Sequence, residues 1–435
     1  MATTSSSFLA LMAAGGLLAQ TTVEEFEQLA LKRNPAIAQA EAAIQSAAGR
    51  TLQAGLKPNP VLGANGEHVA RVTNGGAVGG FISQRFVTAG KLRLSQEVAR
   101  HEQTQVERDL ETQKLRVRNA VRVLFYQALS EQRRLKIRVE MTGYAERSVA
   151  IARELANVGL LDKPQVLAAE IDLQRIGLDT LNSRHALTRT WRQMAALVNQ
   201  PELTPAELSG DLDQLPAVEI DAALQRIFTE SPELRSAEAG VLRAESALRR
   251  ARVDKIPDLQ VRAGVRRNGE WTELPAPAPL RRVGAEGIFD VGFELPVFNR
   301  NQGNIAAARA DVNRAKLAID RRRLALRTRL ASVARDFANA QTAAERYRTQ
   351  MIPRATEAYQ LYSANYRQMS APYPQVLMTQ RNLIDLQEAY VNALAAAWRS
   401  AVEIDGLLID PAGLLDAGEP EPSSFVSRMA DEAGH

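Results

Sequence analysis

The chain has 435 residues, 45% of them hydrophobic and 24% charged, a balance that excludes an intrinsically disordered protein. Its formal net charge is only +4, which gives no support for a nucleic-acid binder, and the absence of cysteine excludes disulfides and thiolate metal sites. No apolar run reaches the ~18 residues of a bilayer-spanning helix, so any membrane crossing is expected to be made by strands.

The two ends of the chain differ in composition from the rest. Residues 8–19 (FLALMAAGGLLA) have the length of the apolar region of a signal peptide, and small residues end the stretch. No lysine or arginine precedes it, which leaves an apolar N-terminal helix as the alternative. We predict a signal peptide over residues 1–20 and, because Pro, Gly, Ser and Glu are frequent there, a disordered tail over residues 411–435.

An internal repeat is the most informative feature of the sequence. Residues 23–60 line up with residues 220–257 without a gap, and Pro35 and Pro60 coincide with Pro232 and Pro257. The tetrapeptide Pro-Gln-Val-Leu also occurs twice, beginning at Pro164 and at Pro374. This pattern predicts two structural repeats with the same order of elements, residues 22–216 and 217–410.

Each repeat is predicted to contain one pair of strands. In the second repeat, apolar and polar residues alternate from Leu259 and again from Gly287, which predicts a pair near 259–298. The pair in the first repeat, near 62–87, alternates less clearly and contains many glycines. Four strands cannot close a barrel, so strands that cross a membrane must be pooled among chains, and a trimer would supply twelve.

Long helices follow each strand pair. From Ile305 to Ala340 every seventh residue is apolar, which is the spacing of a coiled coil. The first repeat has a comparable pattern and predicts a helix from about Thr88 to Asn157, which would be about 100 Å long at 1.5 Å per residue.

Both long helices are expected to reverse at short tips, near residues 157–163 and 367–374, where the apolar pattern stops. Pro353 interrupts the pattern in the second repeat, and Gly143 occupies the matching position in the first. We expect a bend or an irregular turn at both positions.

These features together resemble the TolC-type outer membrane factor family over residues 22–410. The strand-to-helix junctions that support the resemblance read QRFVTAGK from Gln84 and LPVFNRNQGN from Leu295. The resemblance implies a mainly α fold with a small membrane β part. In this fold four strands per chain contribute to a trimeric 12-stranded β-barrel, which a long α-helical coiled-coil barrel continues.

The same resemblance implies a function and a location. The chain would be the exit duct of a tripartite efflux system in the cell outer membrane, surrounded by outer-membrane lipid and extending into the periplasm. Its partners would be two further copies of itself, a periplasmic adaptor (membrane fusion) protein and an inner-membrane pump of the resistance-nodulation-division or a similar class. The block FNRNQGN, residues 298–304, resembles the branch paired with heavy-metal pumps and implies metal cations as substrates.

In this family the hairpin tips contact the adaptor, and one tip carries the motif Val-Gly-Leu. Residues 158–160 match it. The second family motif, Tyr-Arg-x-Gly-x-x-Ser, corresponds to the sequence from Tyr366, with Met369 where the glycine is expected. The resemblance therefore assigns the adaptor contact to eight residues: Asn157, Val158, Gly159, Leu160, Arg367, Gln368, Met369 and Ser370.

No enzyme, cofactor or bound metal is predicted. The sequence lacks a P-loop, a dinucleotide fingerprint and a nucleophile elbow, and its four histidines are far apart. The arginines at 321–323 lie in a helical pattern without interleaved aromatics, which favours a helix surface over a nucleic-acid site. The alternative function is a soluble coiled-coil scaffold, which the apolar strand face with Phe289 and Phe293 disfavours, because such a face needs lipid or a core.

Overall fold

The computed structural model describes residues 22–67, 76–272, 281–368, 370–411 and 414. The predicted signal peptide and almost all of the predicted tail lie outside these residues. In chain order the elements are α1 (Val23–Arg33), α2 (Pro35–Gly55), β1 (Val61–Glu67), β2 (Ala77–Phe86), α3 (Lys91–Asn157), α4 (Lys163–Leu197), α5 (Ile220–Glu230), α6 (Pro232–Val253), β3 (Leu259–Thr272), β4 (Arg281–Phe293), α7 (Gln302–Arg346), α8 (Ile352–Arg367) and α9 (Tyr373–Asp405). Over the described part of the chain, no helix combines the length and the hydropathy needed to cross a bilayer.

The chain divides into two compact units. The helical unit contains the described residues up to Gln39, Glu111–Ser231 and the residues from Leu324 onward. The strand unit contains Ala40–Leu110 and Pro232–Arg323. Each unit therefore draws on both halves of the sequence.

The break between α1 and α2 shows how the Asn-Pro dipeptide acts. The side-chain oxygen of Asn34 accepts from the N–H of Ala36 at 2.9 Å and so caps α2, while its amide nitrogen donates to the carbonyl of Leu197 at 2.8 Å. Pro35 is the first residue of α2, where the missing N–H costs nothing. The dipeptide thus ends one helix, begins the next and fixes both to the end of α4.

The predicted heptad seams are confirmed by burial. All the seam positions in α7, from Ile305 to Ala340, are buried or half-buried, and Val117, Val121 and Leu124 in α3 are nearly inaccessible. The start of α3 is three residues later than predicted. Ala89 and Gly90 have positive φ angles of 56° and 67°, so helical geometry cannot begin before Lys91.

The two expected helix irregularities have different outcomes. Before Pro353 the helix widens into a π-helical turn, Tyr347–Met351, as predicted for a residue that cannot donate its N–H. At Gly143 the expected irregular turn is wrong, because α3 continues through it as regular α-helix. Glycine keeps its backbone donor, and its cost in a helix interior is only about 1 kcal/mol.

The four described strands form one antiparallel sheet in the order β1-β2-β3-β4. One face is polar, and on it Arg266 bonds Glu286 at 2.6 Å and Glu67 at 2.8 Å. The other face is apolar, with Leu62, Ile82, Ala263 and Phe289 in register across all four strands; all but the half-buried Ala263 are exposed. Among the described residues, β1 and β4 each have a neighbouring strand on one side only.

The strand boundaries differ slightly from the prediction. β4 ends at Phe293, although the apolar alternation continues to Leu295. Pro296 explains the difference, since it has no N–H for the ladder and restricts the residue before it. Residues 68–75 and 273–280, which connect the two strands of each pair, lie outside the described residues.

A buried ion pair fixes the junction between the strands and the helices of the strand unit. The carboxylate of Asp258 accepts from Lys91 Nζ at 2.7 Å, from Arg85 Nη2 at 2.6 Å and from the N–H of Thr88 at 3.2 Å. The side chains of Lys91 and Asp258 are only 6% and 10% exposed. Arg85 lies at the end of β2 and Lys91 is the first residue of α3, whereas Asp258 lies between α6 and β3. The pair therefore joins the β2–α3 junction to the α6–β3 junction.

Candidate functional site

The first tip is a helix end that requires glycine. α3 ends at Asn157, and Gly159 has a φ of +75°, the left-handed conformation that commonly closes a helix. The N–H of Leu160 donates to the carbonyl of Leu155 at 2.9 Å across this end. A Cβ on Gly159 would have no atom within 4 Å, so the backbone conformation alone explains the glycine.

The second tip closes with the equivalent bond. α8 ends at Arg367, α9 begins at Tyr373, and the N–H of Ser370 donates to the carbonyl of Asn365 at 2.8 Å. Met369, which matches Gly159 in the repeat, lies outside the described residues. The two tips therefore share a turn design, although the second sequence lacks the glycine.

Both return helices begin in the same way. Pro164 and Pro374 each lie in the first turn, where a helix does not need their N–H. The N–H of the glutamine that follows donates to the carbonyl of the capping residue, at 3.0 Å in the first tip and 3.1 Å in the second. The repeated Pro-Gln pair is thus a helix start.

The tips present apolar side chains to solvent. Val158 is 64% exposed and Leu160 56%. Their neighbours in the predicted contact set are exposed as well: Asn157, Gly159, Arg367, Gln368 and Ser370. Exposed apolar side chains on a rigid turn are suited to binding another protein and offer no chemistry for catalysis.

An aromatic cluster beneath the tips packs the two hairpins together. Tyr366 and Tyr373 lie with ring centroids 5.6 Å apart and are both buried. They form one core with Val149 and Ala152 of α3 and Ala169 of α4. Burial raises the pKa of Tyr373 to about 12, so both hydroxyls stay neutral at physiological pH.

Ion pairs further along the hairpins join α3, α4 and α9. Arg381 of α9 bonds the buried carboxylate of Asp172 on α4 at 2.9 Å. Arg138 of α3 bonds Asp179 of α4 at 3.0 Å and also pairs with Glu388 of α9. These pairs connect the first hairpin to the second and hold the tips in a fixed relation within the chain.

Sequence reasoning placed the exposed tip residues but missed the groups that support them. Tyr366 and Tyr373 lie on either side of the second tip, so an aromatic residue next to each end of the turn was the available signal for a buried pair. No signal in the sequence indicates that Asp172 meets Arg381, since the partners lie on separate hairpins. Within the described ranges, no three His, Asp or Glu side chains group in a way that could hold a metal ion.

Comparison with known proteins agrees with this architecture. The family model for outer membrane efflux proteins matches residues 27–200 and 223–408. The cobalt-zinc-cadmium resistance protein CzcC of Cupriavidus metallidurans is 24% identical over 395 residues, which cover 89% of this chain and 90% of CzcC.

Two solved structures show the same fold. CusC superposes with a TM-score of 0.72 and 17% identity over 90% of this chain and 92% of CusC. The outer membrane protein VceC of Vibrio cholerae gives a TM-score of 0.71 and 17% identity over 89% of this chain and 96% of VceC.

The chain belongs to the outer membrane efflux protein family. It is an outer-membrane efflux duct that extends into the periplasm, and it is not an enzyme. The fold expected from the sequence, mainly helical with a small β part, is confirmed. The soluble scaffold receives no support from these relatives.

Proposed function

We propose that this chain forms, as a homotrimer, the exit duct of a tripartite efflux system that expels metal cations. A periplasmic adaptor would bind the hairpin tips and connect the duct to an inner-membrane pump of the resistance-nodulation-division or a similar class. Residues 22–216 and 217–410 are the two repeats that build each third of the duct.

The sheet is the observation that supports the trimer. Its outer strands β1 and β4 have a partner on one side only among the described residues, and its apolar face is exposed. In a bilayer both features are unfavourable unless the edges pair and the apolar face meets lipid. Three copies joined edge to edge would give a closed barrel of twelve strands, with the polar face, including Arg266, lining the lumen.

The tips support the adaptor contact. Val158 and Leu160 are exposed on a turn fixed by Gly159, so an adaptor would meet a preformed apolar surface. Arg367 and Ser370 add polar contacts on the second tip. The likeness to CzcC supports metal cations as the substrate class, because CzcC is a cobalt-zinc-cadmium resistance protein.

The test uses the source bacterium with the gene deleted and restored on a plasmid. Growth on cobalt, zinc and cadmium measures export, and native mass spectrometry of detergent-extracted outer membranes counts subunits. We expect the restored strain to regain metal resistance and to contain a trimer. Unchanged metal resistance in the deletion strain would refute the substrate class, and a monomer would refute the pooled barrel.

Tip variants test the adaptor contact separately. Val158→Asp and Leu160→Asp are expected to remove resistance while the protein stays trimeric in the outer membrane, since a buried carboxylate weakens an apolar interface. Ile220→Asp on α5, which replaces a side chain that is 53% exposed, is the matched control and should retain resistance. Full resistance of both tip variants would contradict the assignment of the contact.

A further inference from the structure

Two arginines on the polar face of the sheet lie opposite carboxylates, but only one of them pairs with the residue that it faces. Arg266 on β3 is in register with Glu286 on β4, and its Nε donates to Glu286 Oε2 at 2.6 Å. Arg262, on the same face of β3, is in register with Asp290 in the same way. Among the described residues neither Arg262 nor Asp290 forms an ion pair, although side chains directly opposite each other in a sheet are close enough to meet.

Phe81 on β2 explains where the Arg262 side chain lies. The guanidinium carbon of Arg262 is 3.6 Å from the centroid of the Phe81 ring, which places the cation in contact with the aromatic face. In the sheet β3 lies between β2 and β4, so Phe81 and Asp290 are on opposite sides of Arg262. Arg262 therefore points away from the carboxylate that it faces in the strand pairing.

Glycines on the neighbouring strands keep the Phe81 ring against the sheet. Phe81 is in register with Gly63 on β1 and with Gly264 on β3. A Cβ on Gly63 would lie 2.5 Å from Phe81 Cζ, and a Cβ on Gly264 would lie 2.9 Å from Phe81 Cβ. Larger residues at these two positions would displace the ring, so the glycines fix the surface on which Arg262 lies.

We propose that Asp290 attracts cations into the barrel lumen, and that it can do so because Phe81 holds Arg262 away from it. This inference rests on the proposed function, since it takes the polar face as the wall of a water-filled lumen. Asp290 is exposed on that face, and three-fold symmetry would place three such carboxylates at one level of the duct. An unpaired carboxylate raises the local concentration of cations, whereas one paired with arginine has little net field.

A single carboxylate per copy suits a duct that must release its cargo. A site that retains a divalent cation surrounds it with several oxygen ligands, and over the described part of the chain no group of three His, Asp or Glu side chains could do so. Asp290 would therefore attract a hydrated metal cation without holding it. Passage through a pore requires this balance, because an ion that binds too tightly does not leave.

An anion bound to Arg262 is the competing interpretation. The Nε of Arg262 is buried and has no hydrogen-bond partner, so this donor is not available to the lumen. The carboxylate of Asp290, on the adjacent strand, would also repel an anion. The two interpretations predict opposite charge preferences for a probe in the lumen.

The experiment measures this charge preference at a single thiol, since the chain has no native cysteine. Gly292→Cys places the thiol on the polar face two residues from Asp290, where a Cβ has no atom within 4 Å. The purified trimer in lipid nanodiscs reacts with two methanethiosulfonates of similar size, one carrying a trimethylammonium group and the other a sulfonate. The ratio of the two rates is divided by the same ratio for a small thiol in solution, and Ser83→Cys on the same face provides a second reading if Gly292→Cys does not assemble.

We expect Asp290→Asn to lower the cation-to-anion rate ratio by about three-fold or more. Glu230→Gln on α5 removes an equal charge outside the sheet and is the matched control, which should leave the ratio unchanged. Phe81→Leu should lower the ratio as Asp290→Asn does, because Arg262 is then free to pair with Asp290. In the Arg262→Gln background, Phe81→Leu should have no effect.

Three results would count against the inference. An unchanged ratio in Asp290→Asn, or a normalised ratio below one in the chain that carries only Gly292→Cys, would overturn it. An effect of Phe81→Leu that persists in the Arg262→Gln background would show that the ring acts through the shape of the lumen and would overturn the role given to Phe81. A thiol that neither reagent modifies at either position would instead refute the water-filled barrel itself.

Discussion

The ion pair between Lys91 and Asp258 predicts a large effect of a small change. Asp258→Asn keeps the shape of the side chain but leaves Lys91, whose side chain is 6% exposed, with only the more distant and partly exposed carboxylate of Asp254. Removing one partner of a buried ion pair costs about 3–5 kcal/mol, and each hydrogen bond to a charged group contributes about 1.5–3 kcal/mol. We therefore expect Asp258→Asn to lower the free energy of unfolding by about 3 kcal/mol.

The matched control is Asp254→Asn. Asp254 also faces Lys91, but at 4.0 Å and with 42% of its side chain exposed, so its loss should cost less than about 1 kcal/mol. Urea unfolding of the full chain in detergent, followed by tryptophan fluorescence at one fixed protein concentration, measures both variants. Equal losses in the two variants, or no loss in Asp258→Asn, would refute the reasoning.

A double variant tests the cause. Lys91→Met removes the ammonium that Asp258→Asn leaves unpaired, so the combination should be more stable than Asp258→Asn alone by at least about 1 kcal/mol. Strict additivity of the two single losses would show that the charges do not interact.

The stabilisation by the pair of Lys91 and Asp258 should depend on pH. Burial acts to raise the pKa of the Asp258 carboxyl, but hydrogen bonds from Lys91 and Arg85 outweigh burial and lower this pKa from 3.8 to about 2. Because the folded-state pKa is the lower one, this stabilisation is complete above about pH 4 and is lost as the pH falls through about 2, so the stability gap to Asp258→Asn should narrow in urea titrations over that range. Gly159→Ala should destabilise by about 1–2 kcal/mol, because alanine disfavours a positive φ, whereas Gly177→Ala inside α4 should stabilise by about 1 kcal/mol; thermal unfolding with the same sign for both would contradict this. Arg381→Met should lower the melting temperature more than Asp172→Asn, since it strands a carboxylate that is 5% exposed while the latter leaves an arginine that is 48% exposed to water, and the reverse order would count against the pair.

Local signals explain most of what the sequence predicted. The heptads of α3 and α7 and the breaks at the two tips depend on residues close to one another in the chain, so periodicity and helix-breaking residues locate them. The end of β4 was predicted less accurately, because Pro296 ends the strand at Phe293 although the apolar alternation continues to Leu295. Gly143 was misinterpreted because its repeat partner is a proline, and matching positions need not share a backbone constraint.

Long-range pairs could not be predicted. Lys91 and Asp258 lie on different repeats, as do Asp172 and Arg381, and no pattern in either segment specifies the partner. Those pairs nevertheless fix the β2–α3 and α6–β3 junctions and the hairpins beneath the tips. The positions of the two tips could thus be predicted from the sequence, whereas the side chains that hold the tips in position required the structure.

The π-helical turn Tyr347–Met351 changes the phase of the seam that faces the core. Before the turn, Ala340 and Ala344 are buried, and a strict heptad count from Ala340 passes through positions 347, 354 and 361. Leu361 is instead 59% exposed, and the tyrosine that follows it packs against the core beside Tyr366. The turn therefore acts as a one-residue insertion that rotates the tip helix by about 100°. If the same residues formed a regular α-helix, Leu361 would turn inward and the tyrosines would turn away from the other hairpin, whereas deleting one residue from the turn would leave the tyrosines facing it.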